Sequence, residues 1–293
     1  YMKAFIFPGQ GSQYPGMGKE LNNFSEGKKM FNLANEILNF SISKTMFEGS
    51  ESELKQTKIT QPSIFLHSVI LARILDTKFN PDFVAGHSLG EISAITASGA
   101  ISFEDGLRLV YKRAIAMQKA CENNKSSMSA VLGLNDKIVE ETCRNIKDIV
   151  VPANYNCPGQ IVISGSTNGI NLASDQLLKK GARKVIELQV SGAFHSPLME
   201  EAKNELISQI EKTKFSKPIC PVYQNFNAKP TSDPHLIKKN LINQLTKPVL
   251  WHQIILNLIE QKVSEFVEVG PGRTLQGLIK KINREITTKS AEI

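Results

Sequence analysis

A serine stands between two glycines directly after a short apolar run, in the stretch FVAGHSLGEISA (83–94). Gly86, Ser88 and Gly90 form the pattern G-x-S-x-G, which is typical of a sharp turn from a strand into a helix that exposes the serine hydroxyl. The glycines permit a strained turn and a close approach of neighbouring backbone. The pattern therefore predicts a strand, a nucleophile turn and a helix, although an ordinary glycine-flanked turn can carry the same letters.

Most of the chain alternates short apolar runs with amphipathic segments. Strands are predicted at 3–7, 83–85 and 265–269, and helices at 61–75, 103–121 and 274–282. Alternation of this kind is typical of a mostly parallel sheet with helices on both faces. We therefore expect an α/β fold whose main domain comprises residues 1–122 and 191–293.

The central stretch has a different order of elements. After a polar linker at 122–127, the pattern predicts strand, helix, strand, strand, helix and strand at 128–134, 136–148, 149–156, 160–166, 168–180 and 183–190. This βαββαβ order is that of a small ferredoxin-like unit. The sequence therefore predicts a ferredoxin-like subdomain, residues 123–190, inserted into the main domain.

Composition limits the classes of protein to which the chain can belong. Its 293 residues, 41% hydrophobic and 22% charged, are those of an ordinary globular protein. No apolar run approaches the ~20 residues needed to cross a bilayer. The net charge of +7 permits an acidic partner, but the basic clusters lack interleaved aromatic residues and any nucleic-acid motif. The cysteines have no metal-ligand spacing, which argues against a zinc site and for a reducing compartment; they are Cys121, Cys143, Cys157 and Cys220.

A serine hydroxyl needs a base to become a good nucleophile, and histidine is the usual one. His195 follows a predicted strand and precedes a helix start at 196–197, where α/β sheets collect functional groups. It also lies where the small subdomain rejoins the main domain, so we favour His195 as the base. The other histidines have structural explanations: His67 in an apolar helix, His87 on the turn itself, His235 in a polar loop and His252 at a helix start.

No acidic residue completes a triad in the order serine, acid, histidine that α/β-hydrolases use. The acids between Ser88 and His195 fall mostly on predicted polar helix faces; among them are Asp105, Asp136, Asp148, Asp175 and Glu187. The lack of a third member argues against an ordinary serine hydrolase.

Seven stretches together resemble one family. In chain order they are FPGQGSQYPGMG, GHSLGEISA, LVYKRAIAMQ, NCPGQIVISG, GAFHSPLM, KPVLW and VEVGPGRTLQGLIKKI, and the resemblance covers about 3–283. The chain is similar to the malonyl-CoA:acyl carrier protein transacylases, which load malonyl groups for fatty acid synthesis. The resemblance implies an α/β-hydrolase-like domain with an inserted ferredoxin-like subdomain. It also implies transfer of malonyl from malonyl-CoA to the phosphopantetheine thiol of acyl carrier protein.

The resemblance implies roles for individual residues. Ser88 would carry the malonyl ester and His195 would activate it, while a backbone carbonyl near Gln244 would orient the histidine in place of an acid. The backbone N–H groups of Gln10 and Leu89 would form the oxyanion hole, each contributing on the order of 3 kcal/mol. No metal or other cofactor is implied.

Arg113 would determine the choice of acyl group. Amphipathic spacing places it on one face of the predicted helix with Leu109, Val110, Ala116 and Met117. A buried arginine needs an anionic partner, and the resemblance supplies the free carboxylate of malonyl, with Met117 also in the substrate site. Acetyl-CoA would leave the guanidinium unpaired, at a cost of roughly 2–5 kcal/mol. A structural ion pair or a surface position are the alternatives for Arg113.

Three other functions stay open on the sequence. A serine hydrolase would use water to resolve the acyl-serine, a docking module would bind acyl carrier protein without catalysis, and a related transferase would accept another acyl-CoA. The expected partners are malonyl-CoA and acyl carrier protein, with no nucleic acid and no membrane, and the chain is expected to be a monomer. Cysteine usage points to a reducing compartment. The resemblance implies that this compartment is the bacterial cytoplasm or a plastid stroma.

Overall fold

The computed structural model describes residues 1–293 as two β-sheets with helices packed against them. The strands are β1 Met2–Phe7, β2 Phe83–Gly86, β3 Ser126–Leu132, β4 Val150–Cys157, β5 Gln160–Ser166, β6 Lys184–Glu187, β7 Val222–Tyr223, β8 Pro230–Thr231, β9 Val263–Glu268 and β10 Thr287–Ser290. The α-helices are α1 Ser25–Leu38, α2 Ile42–Glu48, α3 Glu51–Lys55, α4 Thr57–Leu75, α5 Leu89–Ala97, α6 Phe103–Asn123, α7 Asp136–Arg144, α8 Thr167–Lys179, α9 Glu200–Lys212, α10 Pro234–Gln244, α11 Trp251–Glu260 and α12 Thr274–Ile282. The prediction of an α/β fold is confirmed.

The larger sheet has the strand order β10-β9-β1-β2-β7-β8. Every neighbouring pair is parallel except β7–β8, as the alternating pattern predicted. Strands β1 and β2 lie in the middle and are almost continuously apolar and buried, because helices cover both faces of a parallel sheet. The carboxyl ends of β1 and β2 are therefore flanked by neighbouring strands on both sides.

The smaller sheet has the order β4-β5-β3-β6, and all of its pairs are antiparallel. Helices α7 and α8 pack against it, so the chain order β3-α7-β4-β5-α8-β6 is the predicted βαββαβ order. This unit has its own core of 11 buried hydrophobic residues, which includes Ile161, Ile163 and Leu177. A parallel bridge joins it to the other half of the molecule, where Val249 exchanges backbone hydrogen bonds with the β4 residues Ala153 (2.8 Å) and Tyr155 (3.0 Å).

The predicted polar linker at 122–127 is too long, since only residues 124–125 lie outside the flanking elements. Helix α6 continues through Asn123, and β3 begins at Ser126. Residues 122 and 123 are exposed, and an exposed last turn of a helix is as polar as a loop. Composition alone therefore could not distinguish the end of helix α6 from a loop.

Two predicted elements in the small unit are too long. Helix α7 ends at Arg144 and not at 148. At this end the N–H of Asn145 donates to the Glu141 carbonyl and closes the last turn. Strand β6 covers only Lys184–Glu187 of the predicted 183–190, because after the bond from Leu188 N–H to the Met128 carbonyl (2.9 Å) the chain leaves the sheet. The apolar residues beyond β6 face the cleft between the two sheets instead of a neighbouring strand.

The longest apolar helix is α4, whose 19 residues are mostly buried in the main core. None of the helices combines the length and the hydrophobicity that crossing a membrane would require.

Candidate active site

The turn between β2 and α5 carries Ser88 in a backbone conformation that non-glycine residues rarely adopt, with φ 52° and ψ −112°. The two flanking glycines are required by close approach. A Cβ atom on Gly86 would overlap the backbone of Gly90, and one on Gly90 would overlap the carbonyl oxygen of Phe7. The predicted order of strand, turn and helix around Ser88 is confirmed.

Replacing Gly86 by alanine is expected to lower the free energy of unfolding by about 3 kcal/mol, since the new methyl group would overlap backbone atoms. Gly277→Ala is the matched control. A methyl group there has nothing within 4 Å, and alanine is the better residue in a helix interior by about 1 kcal/mol. Urea unfolding of both variants measures the difference. Equal effects at the two positions would contradict the steric argument.

The predicted nucleophile and base are in contact. Ser88 Oγ lies 2.7 Å from His195 Nε2, and His195 Nδ1 lies 2.9 Å from the backbone oxygen of Gln244. A carbonyl can only accept, so Nδ1 carries the proton and the lone pair of Nε2 faces the serine. His195 is 2% exposed, and its burial, together with the positive charge of Arg113, lowers its pKa to about 3. The imidazole is therefore neutral near pH 7 and able to accept a proton.

Arg113 lies beside Ser88 and His195, on the buried face of α6, and is 1% exposed. Its Nη2 donates to Ser88 Oγ (3.1 Å) and to Gln244 Oε1 (3.0 Å), and its Nη1 donates to Gln61 Oε1 (2.7 Å). All of these acceptors are neutral. Burial lowers the pKa of Arg113 to about 10, which still leaves the guanidinium charged. A surface position is therefore wrong for this arginine, and no carboxylate is among its hydrogen-bond partners.

The remaining predicted site residues lie around Ser88, His195 and Arg113. Gln10, in the loop after β1, and Leu89, the first residue of α5, line the cleft, and their N–H groups donate to no other protein group. Met117, one turn after Arg113 on α6, also lines it, and its Sδ accepts from Gln61 Nε2 at 3.2 Å. Gln244 lies directly behind the cleft. The structure thus brings all seven predicted site residues together.

The cleft is a cavity of about 470 Å³ between the two sheets. The large sheet contributes the Ser88 turn, and the small unit contributes Met128, Asn154, Asn156 and Val162. A cavity of this size accommodates a small organic ligand, and a site between two structural units is a common place for one.

Sequence reasoning missed three buried polar residues beside the cleft. Gln61 was hidden in the apolar helix α4, where one amide among aliphatic residues was the only signal. Glu91, 0% exposed, accepts from Asn225 N (2.6 Å) and Gln224 Nε2 (3.2 Å), and burial raises its pKa to about 7. A charged residue within the small-residue helix LGEISAITA was the signal for it. Asn225 carries no sequence signal at all.

The other histidines lie apart from the serine hydroxyl. His87 Nε2 is 2.8 Å from Asn156 Oδ1, and His67 Nε2 is 3.2 Å from Glu20 Oε1. The prediction of a polar loop around His235 is wrong: it is an exposed residue in the first turn of α10, whose N-cap is Asp233. Of the five histidines, only His195 contacts Ser88 Oγ.

Comparisons with known proteins point to one family. The acyl transferase domain family matches residues 4–293. The malonyl CoA-acyl carrier protein transacylase of Bacillus subtilis (strain 168) is 41% identical over 290 residues, which are 97% of this chain and 92% of that protein. The transacylase of the same name from Staphylococcus aureus (strain MRSA252) is 42% identical over 293 residues, 99% of this chain and 95% of that one.

Solved structures agree with these relatives. The acyl-carrier-protein-S-malonyltransferase of Bartonella henselae has a TM-score of 0.96 at 36% identity, covering 100% of this chain and 96% of that one. A malonyl-transacylase in complex with its type II PKS acyl-carrier protein has a TM-score of 0.95 at 34% identity, covering 99% of this chain and 96% of that one. The chain belongs to the acyl transferase family and, within it, to the malonyl CoA-acyl carrier protein transacylases.

Proposed function

We propose that this chain transfers the malonyl group of malonyl-CoA to the phosphopantetheine thiol of acyl carrier protein through an ester on Ser88, and so supplies fatty acid synthesis. One observation carries the proposal: a serine hydroxyl contacts both a neutral buried histidine and a buried arginine whose hydrogen-bond acceptors are all neutral. A base activates the hydroxyl, and the arginine provides a place for a carboxylate. The names of the relatives describe the same reaction.

In the first half-reaction, Ser88 Oγ attacks the thioester carbonyl carbon while His195 Nε2 removes the hydroxyl proton. The Gln244 carbonyl, bound to Nδ1, orients the imidazole and stabilises the imidazolium. The N–H groups of Gln10 and Leu89 are free to donate to the carbonyl oxygen as it gains negative charge. The C–S bond then breaks, His195 gives its proton to the CoA thiolate, and malonyl-serine is left.

The second half-reaction reverses these steps with another thiol. The phosphopantetheine thiol of the carrier protein attacks the ester carbonyl, His195 takes the thiol proton, and the Ser88 oxygen leaves and receives that proton. Arg113 pairs with the malonyl carboxylate throughout. Its protein acceptors on Gln61 and Gln244 are neutral amides, so its charge remains available to the substrate.

We also propose the finer architecture and a location. An α/β-hydrolase-like domain of residues 1–122 and 191–293, with a ferredoxin-like subdomain at 123–190, is supported by the strand-turn-helix at Ser88 and by the order β4-β5-β3-β6. A reducing compartment, the bacterial cytoplasm or a plastid stroma, is supported by four cysteines that are all free and buried.

Intact-protein mass spectrometry tests the proposed reaction. Malonyl-CoA should add one malonyl group to the protein, Ser88→Ala should remain unmodified, and acetyl-CoA should react poorly. Holo acyl carrier protein should then remove the adduct. An adduct that disappears equally fast without the carrier would identify a hydrolase, and no adduct from either thioester would favour a docking role.

A further inference from the structure

The strained backbone of Ser88 is held on both sides by side chains from distant parts of the chain. Its N–H donates to Asn225 Oδ1 (2.8 Å), and its carbonyl oxygen accepts from Gln244 Nε2 (2.9 Å). A residue in a sparsely populated conformation persists only when its surroundings impose that conformation. The turn therefore depends on more than its own two glycines.

The side chain of Asn225 continues the hydrogen-bond pattern between β2 and β7 beyond the point where the two strands separate. The β2–β7 ladder ends with the pair Ala85 and Tyr223, and Asn225 follows two residues later. Its Nδ2 donates to the carbonyl oxygen of Gly86 (2.6 Å), while its Oδ1 accepts from Ser88 N–H. A side-chain amide has the same donor and acceptor as a peptide group, so it supplies the next two ladder bonds while the backbone turns away.

A buried carboxylate fixes Asn225 in turn. Glu91 Oε2 accepts from the backbone N–H of Asn225 (2.6 Å), and Glu91 Oε1 accepts from Gln224 Nε2 (3.2 Å). Glu91 belongs to the first turn of α5, whose N–H dipoles favour a negative charge, and α5 begins directly after Ser88. The ring from Ser88 through α5 to Glu91, Asn225 and back to Ser88 is closed, and Glu91 and Asn225 are 0% exposed.

We propose that Asn225 is a positioning residue for Ser88: its side-chain amide holds the strained turn so that the hydroxyl faces His195, and Glu91 fixes Asn225. This inference rests on the proposed function, since it takes Ser88 as the nucleophile. Asn225 does not line the cleft; its Oδ1 accepts from Ser88 N–H (2.8 Å) and from Gln244 Nε2 (3.3 Å), so it acts through the residues of the site and not on the substrate. Removing it should lower the rate of Ser88 acylation and leave the binding of malonyl-CoA unchanged.

The experiment measures single-turnover acylation by malonyl-CoA with quenched mass spectrometry. Asn225→Ala should lower the maximal rate constant by about 100-fold, the effect of misplacing a reacting group by about 1 Å. Glu91→Gln keeps the shape but replaces one of the two acceptor oxygens by an NH2 donor, so we expect a smaller decrease of about 10-fold. Asn225→Asp keeps the acceptor for Ser88 N–H, loses the donor to Gly86 O, and should lie between the two. If one variant fails to fold, the other two carry the test.

Two controls separate positioning from general stability. Asn35→Ala removes the same kinds of bond, from Nδ2 to Ser43 Oγ (2.8 Å) and from Ser43 N–H to Oδ1 (3.1 Å), at a position remote from the cleft. It should lower the melting temperature without changing the acylation rate. In a Ser88→Ala background, which binds but cannot acylate, Asn225→Ala should change the Kd of malonyl-CoA by less than about 3-fold in calorimetry.

The possible results distinguish a failure of the proposed function from a failure of the proposed role of Asn225. No adduct on the unaltered protein would contradict the proposed function itself. A normal adduct on the unaltered protein, with Asn225→Ala and Asn225→Asp acylated within about 3-fold of its rate, would overturn the role of Asn225 alone. A Kd raised about 10-fold or more by Asn225→Ala in the Ser88→Ala background would also overturn it, because the residue would then act on substrate binding.

Discussion

Arg113→Ala is expected to reverse the preference for malonyl-CoA. The value of kcat/KM for malonyl-CoA should fall by roughly 30- to 5000-fold, because removing one partner of a buried charge pair costs about 2–5 kcal/mol. Acetyl-CoA has no carboxylate to pair with Arg113, so its kcat/KM should stay the same or rise once the buried guanidinium is gone. Steady-state transfer to acyl carrier protein with each thioester gives both values.

A matched variant changes the charge around Arg113 without removing it. Gln61→Glu replaces the neutral acceptor 2.7 Å from Nη1 by a carboxylate of nearly the same size, which would neutralise the guanidinium from within the protein. It should therefore also lower the ratio of malonyl to acetyl transfer. Equal losses with both thioesters in Arg113→Ala would contradict a role in specificity and would indicate that Arg113 acts mainly through its bond to Ser88 Oγ.

The parts of the site that the sequence could predict are those coded by local spacing. The glycines around Ser88 predict the turn because steric limits act between neighbours, and the structure shows those limits at Gly86 and Gly90. Amphipathic spacing placed Arg113 on the buried side of α6, since a helix repeats every 3.6 residues. Helix α12 was predicted with its observed bounds, Thr274–Ile282, because a turn precedes it and its apolar stripe is clear.

The parts that the sequence could not predict depend on contacts between distant segments. Asn225 is 137 residues from Ser88, and Gln61 is 52 residues from Arg113. Nothing in the local sequence of either residue indicates its partner. A buried amide and an exposed one have the same letter, and only the tertiary structure decides whether its hydrogen bonds go to protein or to water. The contact of His195 with the Gln244 carbonyl is a similar case: a backbone acceptor leaves no mark in the sequence, and here the family resemblance supplied it.

His195→Ala is expected to lower the rate of Ser88 acylation by about 10⁴-fold, the upper end of what a general base contributes. The N–H donors of Gln10 and Leu89 and the guanidinium of Arg113 would remain, so the KM for malonyl-CoA should change little. Single-turnover acylation measures the rate constant. A loss that appears mainly in KM would contradict the role of base, because it would indicate a substrate contact instead.

The pH dependence of the unaltered protein tests the same assignment. Burial and Arg113 lower the pKa of His195 to about 3, well below the ordinary 6.5, so the protonated and inactive imidazolium forms only in strong acid. Acylation should therefore show no decrease centred near 6.5 between about pH 8 and about pH 5. Glu91, whose pKa burial raises to about 7, lies beside the site and titrates in this range, and Glu91→Gln would remove any limb that it causes. A limb near 6.5 that persists in Glu91→Gln would mean that water reaches His195 and protonates it in the free enzyme.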